Sequence, residues 1–103
     1  MRHIAIAFTA AGLALAAVPA TAGDAAAGKS KIGVCMACHG KDGKGTTAEY
    51  PNIGGQNEKY LVSALKAYKS GGRDNPIMKP MVGTLSDADV ENVAAYYASQ
   101  PCK

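Results

Sequence analysis

Two cysteines three positions apart with a histidine directly after the second, Cys35-Met36-Ala37-Cys38-His39, constrain this chain more than any other feature. Any fold it adopts must keep both thiols on one side of a helical turn and hold an imidazole beside them. Four chemistries use such a spacing. A redox dithiol wants a βαβ setting, and no credible strand run follows Ala22. A structural zinc site needs four ligands, and with Cys35, Cys38, Cys102 and His39 all counted two of them would be neighbours in the chain. A disulfide between Cys35 and Cys38 leaves His39 without a role. The fourth is covalent attachment of a haem, in which each thiol forms a thioether to a vinyl group and His39 is held beneath the iron.

Composition argues for a large apolar group. The chain has 103 residues with one Phe, no Trp and five Tyr. Met1-Arg2-His3, the apolar run from Ile4 to Val18 and the small residues Ala20-Thr21-Ala22 read as a secretory signal peptide, residues 1–22, cleaved after Ala22. The run is shorter than the roughly 20 residues of a membrane span, and Thr9, Gly12 and Pro19 interrupt or end it. No stable membrane span is expected after cleavage. Phe8 and His3 leave with the leader, so the single domain expected over residues 23–103 has no Phe, no Trp and one His. A core of Ala, Val, Leu and Tyr is thin for so short a chain, and a haem would complete it.

Charge excludes other classes. Lys and Arg number 11 against eight Asp and Glu, and Arg2 belongs to the leader. Lys29, Lys31, Lys41 and Lys44 are interleaved with Asp24 and Asp42, a mixed surface rather than a patch for nucleic acid or anionic membrane. Gly40 to Thr47 superficially matches a phosphate loop, but Thr46 stands where that motif needs Lys.

The pattern along the chain is all-α. Asp24 predicts a cap for a helix over 25–36, in which Gly28 signals the close approach of another element. Gly40 to Gly55 reads as loop. Asn57 predicts the cap of a helix running to Ser70, with Leu61, Ala64, Leu65 and Tyr68 on one buried face and Gly71-Gly72 as the stop. Arg73 to Leu85, with Pro76 and Pro80, reads as irregular. Ser86 predicts the cap of a last helix with a stripe of Val90, Val93, Ala94 and Tyr97, ended by Pro101. Such long loops between three main helices suit a flat cofactor wrapped by the chain.

On these residues the sequence resembles class I cytochromes c, and specifically the domain that occurs twice in dihaem cytochromes of the c-four type and singly in small monohaem relatives. Gly23 to Gly28, the attachment motif, Tyr50-Pro51-Asn52-Ile53-Gly54-Gly55-Gln56, and Leu85-Ser86-Asp87 followed by Ala94-Ala95-Tyr96-Tyr97 carry the resemblance. It implies the cytochrome c fold around one covalently bound haem, with first and last helices crossing at Gly28. It implies that the Pro51 carbonyl accepts a hydrogen bond from His39 Nδ1. Met36 lies on the same side of the haem as His39, so the second axial ligand is Met78 or Met81. In the c-four type that ligand stands seven residues before the Leu of Leu-Ser-Asp, which selects Met78.

The site expected is thus Cys35, Cys38, His39 and Met78, with His39 and Met78 on the iron. Two filled axial positions make a single-electron carrier working in the periplasm and docking transiently with redox proteins, not an enzyme. The alternative is a subunit of a larger oxidoreductase, or a sensor or catalytic haem module, which would need an open sixth position. Arg73 and Gln56, in loops flanking the second helix, are candidates for the haem propionates. Cys102 is left over, either a plain tail residue or the link in a disulfide dimer.

Overall fold

The computed structural model describes residues 3–7, 12 and 23–102. The expected leader therefore lies mostly outside the described residues, and of it residues 3–7 are exposed and carry no helix. Five helices follow: α1 (Ala25–Lys29), α2 (Gly33–His39), α3 (Glu58–Ser70), α4 (Met78–Val82) and α5 (Asp87–Ala98). There is no strand among the described residues.

The longest helices begin where their caps predict. Asn57 accepts the Tyr60 N–H at 3.0 Å and starts α3, which ends at Gly71 in the left-handed region. Ser86 and Asp89 exchange hydrogen bonds in a capping box at the start of α5. The helix expected over 25–36 instead breaks in two. Ser30 Oγ turns back to the Ala27 carbonyl and Lys31 N–H closes a tight turn on Gly28, so α1 ends at Lys29 and α2 restarts at Gly33. The break lets Ile32, 2% exposed, enter the core.

The stretch 73–85, expected to be irregular, contains α4. Asn75 Oδ1 accepts the N–H groups of both Ile77 and Met78 at 2.9 Å, a side-chain cap that starts the turn. Pro80 lies within this short helix, which ends two residues later at Val82.

Helix α5 is the axis of the domain. It packs against α1 on one side and α3 on the other, and α4 packs against α3. Val90, Val93, Ala94 and Tyr97 are buried as the stripe predicts; Ala95 and Tyr96 are buried as well, because α1 covers the face next to the stripe. Gly28 stands at that crossing. A Cβ there would lie 2.0 Å from the Asn92 carbonyl oxygen and 3.0 Å from Tyr96 Cβ, so only glycine permits so close an approach.

Candidate functional site

Helix α2 ends on the motif. Gly40, with φ of +71°, stops the helix directly after His39 and turns the chain away. The thiol-bearing turn and the imidazole are thereby held at one helix end. Two tyrosines of α5 anchor this corner: the Tyr97 hydroxyl donates to the Gly40 carbonyl at 2.9 Å and the Tyr96 hydroxyl to that of Lys41. Their rings meet edge to face with centroids 5.2 Å apart. Neither tyrosine had a site role on sequence grounds; only the tertiary fold brings α5 to residues 40 and 41.

Two cavities, of about 300 and 330 Å³, flank this corner. Both are lined by Cys35, His39, Pro51, Leu65 and Met78. The first continues between α3 and α5, past Leu61, Ala64, Val93, Ala94 and Tyr97, towards Gln56, Tyr68 and Arg73. The second continues past Cys38, Val34 and Tyr50 to Met81, Val82 and Leu85 on α4 and just after it. His39 and Met78 meet on the line common to both. The four expected site residues Cys35, Cys38, His39 and Met78 all border the second cavity. Met81 borders only the second and is 40% exposed; Met36 is exposed and borders neither. Cys102 is exposed in the tail against Gly55, away from both cavities.

The donor set fits a haem. His39 is buried, and its Nδ1 lies 2.8 Å from the Pro51 carbonyl oxygen. A carbonyl can only accept, so Nδ1 carries the proton and Nε2 keeps its lone pair for a metal. Met78 supplies a soft thioether, suited to iron in a low-spin site. The walls are mostly apolar, with Leu, Val, Ala, Ile, Met, Pro and Tyr side chains, and each cavity is in the size range of small-molecule pockets, so a flat apolar group spanning both would find its contacts. Burial pushes the Cys35 thiol up from 9.0, whereas a redox dithiol needs a lowered one. Among the described residues no group of three or more His, Cys, Asp and Glu side chains is placed to hold a metal ion.

A helical fold wrapped on an apolar slot, with paired thiols, an oriented imidazole and a facing thioether, defines a domain of the haem c class. The family model described as Cytochrome c matches residues 25–100, and the chain belongs to that family. Cytochrome c-554(548) of Halomonas halodenitrificans is 54% identical over 82 residues, covering 77% of this chain and 99% of its own length. Cytochrome c4 of Pseudomonas aeruginosa is 43% identical over 88 residues, covering 85% of this chain. The crystal structure of reduced recombinant cytochrome c4 from Pseudomonas stutzeri superposes with a TM-score of 0.74 at 43% identity over 78% of this chain. This chain spans less than half the length of those two cytochromes c4, 44% and 47%. The cofactor is haem c, and the chain is a single-electron carrier.

Proposed function

We propose that one haem c is bound through thioethers to Cys35 and Cys38, with its iron between His39 Nε2 and Met78 Sδ, and that the protein passes electrons without catalysing a reaction of its own. The meeting of His39 and Met78 on the line shared by the two cavities carries this reading. When bound, the haem supplies an iron that alternates between ferrous and ferric states. The rest falls to the chain. The Pro51 carbonyl fixes the His39 tautomer and makes its imidazole a stronger ligand. The Met78 thioether favours the ferrous state and raises the potential. With His39 and Met78 both holding the iron, no ligand position would be left for a substrate.

Val34, Ile77 and Met81 are each at least 40% exposed and border the second cavity, an apolar rim of the sort a brief redox encounter uses. In the same reading residues 1–22 are a cleaved leader and the domain works in the periplasm, paired with transient redox partners. One observation supports this: the family match begins at residue 25, after the expected leader.

The test is ligand replacement in the haem-loaded protein. Met78→Ala should abolish the ferric charge-transfer band that reports sulfur on iron, and its reduced form should bind carbon monoxide. Met81→Ala should keep the band and bind carbon monoxide poorly. The opposite pattern would transfer the axial role to Met81.

A further inference from the structure

We propose that Arg73, held over the ring of Tyr68, binds the propionate carboxylates of the haem at the far end of the first cavity, with Gln56 as a second donor. The inference rests on the haem reading above and assigns the one orientation of the macrocycle that the charges allow. A haem carries its two vinyl groups on one edge and its two propionates on the opposite edge. Cys38 borders only the second cavity, so the thioether edge belongs there and the carboxylate edge opens into the first.

The linings agree. Leaving His39 aside, the one charged side chain bordering the second cavity is Glu49, which would repel a carboxylate; in the first it is Arg73, which would attract one. The Arg73 guanidinium carbon sits 4.5 Å from the centroid of the Tyr68 ring, a cation–π contact that stiffens a long side chain and leaves the edges of the fork open. Its backbone N–H donates to the Ala67 carbonyl at 3.0 Å, which ties the loop after α3 to the helix. Gln56 Oε1 already accepts the Asn57 N–H at 2.8 Å, so its NH₂ group is the end available to a carboxylate. A guanidinium paired with a propionate is a charge-assisted bond. Its positive charge also offsets the propionate's and so favours the ferrous iron.

The experiment compares haem-loaded native protein with Arg73→Gln and Arg73→Lys by resonance Raman spectroscopy of the propionate bending mode and by midpoint potential at one neutral pH. In Arg73→Gln the mode should shift and the potential should fall. In Arg73→Lys, which keeps the charge but not the planar fork, the potential should recover in part while the mode stays shifted. An unchanged mode in Arg73→Gln overturns the proposal, whether or not the potential moves, because contact is then absent. The ferric charge-transfer band recorded on the same samples separates the two readings. If it is present throughout while the mode is unmoved, the propionate assignment alone fails; if native protein lacks it, the axial assignment fails.

Discussion

Tyr97 shows how one side chain can serve the core and the site together. Its ring is 1% exposed, it borders the first cavity, and its hydroxyl holds the carbonyl of Gly40 next to His39. Tyr97→Phe keeps the ring and removes the bond, so it should cost about 1 kcal/mol at neutral pH, read from the urea midpoint. Burial, more than any neighbouring charge, pushes the Tyr97 hydroxyl well above its ordinary 10.0. In the unfolded chain the phenol gives up its proton first as pH rises, so the folded state is the one that still binds it. The stability this group contributes is complete below about pH 10 and drains away above it. Native protein should therefore lose stability more steeply above that pH than Tyr97→Phe does. Parallel alkaline limbs would show that Tyr97 has no part in the loss.

Among the helices, the crossing of α1 and α5 is set by the smallest side chain in the chain. With a Cβ at Gly28 only 2.0 Å from the Asn92 carbonyl, Gly28→Ala must push α1 outward. Overpacking of that kind costs roughly 1–3 kcal/mol. The helix propensity gained, at most about 1 kcal/mol, opposes it in a helix of five residues. A lowered denaturation midpoint with unaltered axial ligation is expected; an unchanged midpoint would mean the crossing has slack. Helix boundaries were legible where a side chain caps a free run, as at Asn57 and Ser86. They were not legible at α4, where Pro76 and Pro80 read as breakers while Asn75, two residues before Ile77, supplied the cap.

For the molecule as a whole, the question is what fills its centre. Leu61, Val93, Ala94 and Tyr97 belong to the core and also border the first cavity, while Val82 and Leu85 border the second, so much of the apolar interior faces the haem slot. Without the cofactor those surfaces would lie against water. The Cys35→Ala, Cys38→Ala double variant produced without attached haem should show weak helical circular dichroism and no cooperative thermal transition. A sharp transition with full helical signal would show that the protein core suffices alone.

The sequence by itself determined the attachment chemistry and the capped starts of α3 and α5, because each depends on neighbours within a few positions along the chain; Gly28 signalled a close approach, but that its partner is the Asn92 backbone of α5 was decided by packing. Spacing also pointed to Met78, though only through resemblance. Tertiary structure decided the rest. It brought the α5 tyrosines to residues 40 and 41 across more than 50 residues, and it left Met81 bordering one cavity while Met78 borders both; the contact of the Pro51 carbonyl with His39, across 12 residues, was legible only through resemblance. Contacts at such separations follow from how helices pack around the volume of the haem, and no local pattern in the chain encodes that volume.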